Sequence, residues 1–336
     1  MATLSTSISN DLLSSTLYSI RDGEVDELFQ KVAFLDAAKS NGGTEMEDGG
    51  TMIVRPLSLV EHSSITELPT GYESVSLAVS DVLRPAEYAW EDFVAPIVIS
   101  KKEELENSSE KAVVKIVEAR MRSVMGMLRR ELNKQILAGS STVLTGMNTL
   151  NGNVAGGFLE GTTTGDQTNT VGGISKTTYA ETTGWQNQYG TASGAFRAGA
   201  GLNAMFQIYA SANQRAPMGD ISTIIASEAS FRNYKRALQA NERYIDQTVL
   251  DGGRMSLAFA GSAIEQDIEM PVADHSMYFL NFDAIKLITH KDADFTVSPF
   301  ESVVGTTARA AQLYWKGQLI ADHLGSCGTL DNAEAW

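Results

Sequence analysis

The sequence predicts an α+β fold in which β segments flank one long helix. Three observations carry that expectation. Apolar residues recur at three- and four-residue spacing at Val113, Val117, Met121, Val124, Leu128, Leu132 and Ile136. β-like runs stand before that stripe, at 51–60 and 71–83, and after it, at 275–290 and 309–323. Between them a helix–strand–helix–strand module spans 199–267, and no internal repeat is visible.

The elements follow in order. Residues 1–23 are rich in Ser and Thr and read as an arm. Residues 24–38 place Val25, Leu28, Val32 and Leu35 on one helical face, with acidic residues in the first turn and "KSNGG" as the stop. "TMIVRPLSLV" and "GYESVSLAVSDVL" read as the strands of a long hairpin across "EHSSITELPT". Pro56 confines the first strand to an edge. Two strands alone are marginal in water, so something else must cover this hairpin, and a second copy of the chain is a natural candidate.

"PIVIS" leads into the long helix, expected from about 108 to 138 with Gly139 as its stop. Ser100 with Glu103, and Asn107 with Glu110, have the spacing of capping boxes. The opposite face carries Lys111, Lys115, Arg122 and Arg129. Residues 140–200 are rich in Gly, Thr, Asn and Ser and too long for an ordinary loop. Then come the helix "GAGLNAMFQIYASANQR" with a Leu202, Met205, Phe206, Tyr209 stripe, the strand "DISTIIAS", the helix "EASFRNYKRALQA" and the β-like "MSLAFAGSAIEQD". "HSMYFLNFDAIKLITH" and "RAAQLYWKGQLIADH" read as strands joined by a connection at 291–307.

Composition narrows the function. Twenty-six basic against 41 acidic residues give −15 at pH 7 over 336 residues. That charge argues against tight wrapping of DNA, which needs cations to displace counterions. It also keeps subunits soluble before assembly. No apolar run is long enough for a membrane helix, and the N-terminus lacks the pattern of a secretory signal. A single cysteine, Cys327, excludes an internal disulfide and a multi-cysteine metal cluster.

The chemical motifs are weak. "TVGGISKTTY", with Lys176 and Thr177, resembles a phosphate loop, but Ser175 stands where Gly is needed and neither a strand nor an apolar helix flanks it. A tight turn at Gly172 and Gly173 is the simpler reading. Gly199, Gly201 and Ala204 fit a dinucleotide fingerprint without its preceding strand, and Asp220 precedes its strand rather than ending it. His323 and Cys327 lie four apart after the last expected strand, with no further ligand beside them, and His62, His275 and His290 are scattered. Asp292 and Asp294 form a D-x-D in a polar turn. Arg120, Arg122, Arg129 and Arg130 could track nucleic acid, but interleaved Glu118 and Glu131 make ion pairing within the helix or to a neighbour simpler.

The order of elements, and local segments such as "FLDAAKSNGG", "GGTMIVRPL", "YAWEDFVAPIVISKKEELENSSE", "VGGISKTTYAETTGWQNQ", "MYFLNFDAIKLITHKDADFTVSPF" and "AAQLYWKGQLIADHLGSCGTL", resemble the major capsid proteins of tailed bacteriophages. The resemblance covers about 24–330. It implies an N-terminal arm at 1–40 and an extended β-hairpin loop at 41–95 that lies over a neighbouring subunit. It also implies a peripheral domain with the spine helix at 96–139 and 276–336, and an axial α/β domain at 140–275. The function implied is a structural protein, not an enzyme, that self-assembles as pentamers and hexamers into an icosahedral head. That head would enclose double-stranded DNA without sequence-specific contacts, and would assemble in the host cytoplasm as the virion capsid. No cofactor or metal is implied. Separate scaffolding, portal and cement proteins are the other expected partners. Inter-subunit contacts are expected on or beside the extended loop at Arg55, Glu61, Glu67 and Arg84. Some capsids of this fold are locked by Lys–Asn isopeptide bonds with the lysine on that loop. Here 44–100 contains no lysine, so that form of cross-link is chemically excluded. An encapsulin-type compartment shares the fold and is the near alternative. A nucleotide-binding enzyme built on 195–270 is the alternative from another class.

Overall fold

The structure is a computed structural model that describes residues 32–59, 71, 83–106, 110–138, 144–147, 158–159, 169–178, 185–192, 196, 199–215, 219–239, 257–270, 277–331 and 333. Helix α1 (Ala33–Ser40) opens from an extended Val32, with φ −120° and ψ 123°. Of the helix expected at 24–38, the part before Val32 lies outside the described residues, and the helix runs on to Ser40. Asn41 Nδ2 and Ser40 Oγ donate to Ala37 O at 2.8 and 3.1 Å, beside the backbone N–H of Asn41 at 3.0 Å.

The first sheet is built on one long strand. It contains β1 (Thr44–Glu47), β4 (Glu91–Ser100), β12 (Ile285–His290), β13 (Thr296–Val297), β14 (Glu301–Ser302) and β15 (Ala308–Ala321). β15 pairs along one edge with β12, β13 and β14 in turn, and along the other with β4 over ten residues. The stretch 291–307, expected as a plain connection, supplies β13 and β14 because its backbone runs back beside β15. Strands β2 (Met52–Ser58) and β3 (Leu83–Ala89) form a separate two-stranded ladder. The second strand thus starts where the sequence expected it to end, and 60–70 and 72–82 lie outside the described residues. Pro56 faces Pro85 across the ladder. Neither has an N–H, so this must be a non-hydrogen-bonded pair.

Ser100 and Glu103 form the predicted capping box: Ser100 N donates to Glu103 Oε2 at 3.1 Å, and Glu103 N to Ser100 Oγ at 3.3 Å. The box opens a short helix, α2 (Lys101–Glu106), before the spine, α3 (Glu110–Ala138). The 29 residues of α3 span about 44 Å at 1.5 Å per residue. Val117, Met121, Leu128, Leu132 and Ile136 of the expected stripe are buried and Val124 is partly buried. Arg129, expected on the polar face, is buried instead, because α1 packs on α3 and widens the covered face. Its guanidinium lies 3.7 Å from Asp36 of α1.

The second sheet runs in the order β7 (Gln188–Thr191), β16 (Gly328–Asp331), β11 (Met277–Leu280), β8 (Thr223–Ala226), β10 (Ser262–Gln266), β9 (Leu257–Phe259). Helices α4 (Ala200–Gln214) and α5 (Glu228–Gln239) accompany it. The buried face of α4 is Gly201, Ala204, Met205, Ile208 and Ala212, while Phe206 of the expected stripe is 56% exposed. β11 and β12 lie in different sheets, and β16 returns to the second. Successive residues of β11 enter different cores: Met277 and Phe279 pack with α4 and β9, Tyr278 and Leu280 with α3 and β15. The second sheet is therefore a shared wall, and Tyr278 Oη donates across it to Leu137 O at 3.2 Å.

Candidate assembly surfaces

The ladder β2–β3 has two unequal faces. Ile53, Leu57, Ala86 and Tyr88 are buried in the large core, while Met52, Val54 and Leu83 are 45%, 53% and 61% exposed. The covered face answers part of the sequence expectation: the root of the hairpin is covered by its own chain. Tyr88 Oη donates to Ala321 O at 2.9 Å. Arg55 reaches β1, with Nη2 2.7 Å from Glu45 and 3.0 Å from Glu47. Lys286 also pairs with Glu45. Hydrogen bonding to Lys286, opposed by some burial, holds the Glu45 carboxyl below its usual range. Burial pushes the Asp322 carboxyl beside this network up.

Of the four residues expected at interfaces, Arg55 is engaged within its own chain, Arg84 stands exposed on β3, and Glu61 and Glu67 lie outside the described residues. Sequence reasoning missed β4. Ile97 and Ile99 are buried in the large core with the spine, while Val94 and Val98 are 50% and 46% exposed on the other face. The signal available was the unbroken apolar, β-branched run "FVAPIVI", which suits a strand but has no alternation to say which face is covered. Across the ladder Val94 faces Tyr314, Pro96 faces Gln312 and Val98 faces Ala310. Tyr314 Oη donates to Asp92 at 2.6 Å, and this bond pushes its pKa up to about 12. The open edge of β4 is a poor template for strand addition: Pro96 lacks an N–H and Arg120 of α3 covers Val98 O. A second missed feature is the β14–β15 turn, where Val304 is 98% exposed.

The chemical candidates are absorbed by the fold. Gly172 and Gly173 have φ of 56° and 76°, as the turn reading requires. Lys176 is fully buried, with Nζ donating to Phe158 O at 2.8 Å and Asn187 Oδ1 at 3.1 Å, so its ammonium points into the fold. Cys327 is not in a tail: it precedes β16, accepts a hydrogen bond from Asn281 N at 3.4 Å, and burial raises its thiol to about 11. Burial also lowers the pKa of His323. His290 packs edge-on against Trp90 at 5.6 Å, and His62 and His275 lie outside the described residues. Asp292 N donates to His290 Nδ1 at 3.2 Å in the expected polar turn. Among the described residues no group of three or more His, Cys, Asp or Glu is placed to hold a metal ion. Three of the spine arginines, Arg120, Arg129 and Arg130, pair with residues of other elements. Arg120 is 2.5 Å from Glu103, whose pKa this bond lowers to about 2, and Arg130 pairs with Glu269. A groove of about 420 Å³ runs beside α3, lined by Gly126, Arg130, Asn133 and Ile268 among others.

No protein-family model matches the sequence, and no curated protein matches it. Solved structures do match its fold. A chain of the cyanophage A-1(L) capsid asymmetric unit superposes with a TM-score of 0.61 at 16% identity, over 89% of this chain and 93% of that one. The capsid protein of an empty GTA particle gives 0.53 at 11%, over 88% and 89%. The SrpI encapsulin of Synechococcus elongatus PCC 7942 gives 0.52 at 10%, over 86% and 84%. The chain therefore has the α+β shell-protein fold shared by phage capsids, GTA capsids and encapsulins. No described helix is long and apolar enough to cross a membrane.

Proposed function

We propose that this chain is a phage-type major capsid protein, which assembles as pentamers and hexamers into an icosahedral head around double-stranded DNA. The observation that supports this most is the match to the cyanophage capsid chain over nearly the whole of both chains. In this reading the hairpin rooted at β2–β3 lies over a neighbouring subunit, with Met52, Val54 and Leu83 on the face its own chain leaves open. The outer face of β4 and the β14–β15 turn offer further apolar surface of the kind assembly covers. The module around α4 and α5 sits at the fivefold and sixfold centres. Virion assembly would take place in a host cytoplasm, with scaffolding, portal and cement proteins as separate partners.

Electron microscopy of the purified full chain tests this directly. Closed shells filled with nucleic acid from infected or induced cells are the expected result. Shells filled with an enzyme cargo would move the reading to an encapsulin-type compartment. A monomeric protein that binds ATP or NAD would overturn it. Charge reversal at Arg84, Glu61 or Glu67 is expected to block assembly while circular dichroism stays unchanged. Mature particles should run as a single monomer band on denaturing gels, since 44–100 offers no lysine for the loop cross-link. A covalent ladder would refute that.

A further inference from the structure

The short hairpin of β5 (Thr170–Val171) and β6 (Ile174–Ser175) lies between the root of the extended hairpin and the second sheet. On one side it touches β3. Glu87 N donates to Gly172 O at 3.0 Å. A Cβ at Gly172 would lie 2.9 Å from Tyr88 Cζ and 3.1 Å from Ala86 Cβ, so the turn sits directly against that strand. On the other side it is tied by Lys176. The Lys176 N–H donates to Asn169 O at 3.1 Å, and Gln186 Nε2 donates to Lys176 O at 2.9 Å. The ammonium joins Phe158 O to Asn187, the residue before β7. Trp185 Nε1 donates to Ile174 O at 3.3 Å. Lys176, Trp185, Gln186 and Asn187 are all buried. The Phe158 ring in turn lies 6.0 Å from that of Tyr88.

The root of the extended hairpin is thus anchored in two directions. Tyr88 to Ala321 and Arg55 to Glu45 and Glu47 reach the first sheet. Glu87 to Gly172 leads through Lys176 to the second. We propose that β5–β6 is a strut that sets the angle of the extended hairpin relative to the second sheet, with Lys176 as its lock. A buried ammonium suits this role. It bonds oxygens from separate segments at once, and removing it takes a donor from each of those buried acceptors. Movement of either sheet is then felt at the hairpin root, and the hairpin angle is one property of the whole subunit. The coupling is a property of the single chain. Only its consequence for shell geometry rests on the capsid reading.

Amide hydrogen exchange on the full-length chain tests the coupling, peptide by peptide. In Lys176→Met, exchange at 53–57 and 86–88 should quicken about tenfold, while β12 and β15 keep their protection. Quickening confined to 158–188, or spread evenly over the chain, would overturn the proposal. If Lys176→Met does not fold, Gly172→Ala decides, because it pushes from the other end with the lysine intact. Its added Cβ should loosen 185–188 as well as the hairpin root. Loosening at the root alone would show that no strut connects the two. Because the readout is exchange, its failure is separate from a failure to form shells under the microscope.

Discussion

The spine helix α3 and the root of the β2–β3 hairpin bury apolar residues in the same core by opposite means. α3 carries its own periodicity: its described stripe runs from Val117 to Ile136, and its backbone hydrogen bonds close within the helix. The root has only four buried apolar positions across two strands, and its polar anchors include Ala321, Gln318, Glu45, Glu47 and Gly172. A helix needs its surroundings to cover one stripe. A two-stranded ladder also needs them to hold its edges and orientation. The two regions should therefore respond differently to damage.

The largest effect is expected on the spine. Leu132→Ala removes a fully covered side chain from the stripe and should cost about 2–5 kcal/mol in urea unfolding. A loss below about 1 kcal/mol would mean that the stripe does not carry the core. Tyr88→Phe comes next. It deletes one hydroxyl that donates to Ala321 O, and should cost about 1–2 kcal/mol. The damage should be local, seen as faster exchange at 53–57 and 86–88 before any global change. Equal global losses for the two variants would erase the contrast between the regions.

The smallest effect is electrostatic. Glu45→Gln should cost up to about 1 kcal/mol at neutral pH, because the pairs with Arg55 and Lys286 are partly exposed and screened. Glu45 is held below its unfolded value of 4.5. Its contribution is therefore full above that pH and is lost as pH falls through the folded value. The gap between wild type and Glu45→Gln should narrow as pH falls below 4.5 and close once the folded carboxyl is protonated. Asp322 has the opposite sign. Burial raises it above 3.8, so the stability it contributes in acid is lost as pH rises through its folded value. Asp322→Asn should thus stabilise at pH 7. A variant less stable at pH 7 would mean that the charge on Asp322 supports Arg55 more than burial opposes it.

Legibility in the sequence followed the range of the interactions. The capping box, the spine stripe and the glycine turn at 172–173 involve residues within four positions of one another, and all are in place. Arg129 shows the limit. By spacing alone it shares a face with Lys111, Lys115 and Arg122, yet α1 covers it while Arg122 stays exposed. The candidate surfaces were half legible. The apolar run of β4 was there to be read as a strand, but which set of its residues faced outward depended on where α3 packed.

By itself, then, the sequence determined the local periodicities: one long amphipathic helix, a capped start before it, β runs on either side, and an acidic chain without the spacing of a catalytic or metal site. Only the tertiary structure decided that 277–290 is divided between two sheets, that β11 serves two cores at once, and that Lys176 is turned inward as a tie between segments. Periodicity says which residues share a face. It cannot say what covers that face when the partners lie a hundred or more positions away, as Ala321 does from Tyr88 and Leu137 from Tyr278.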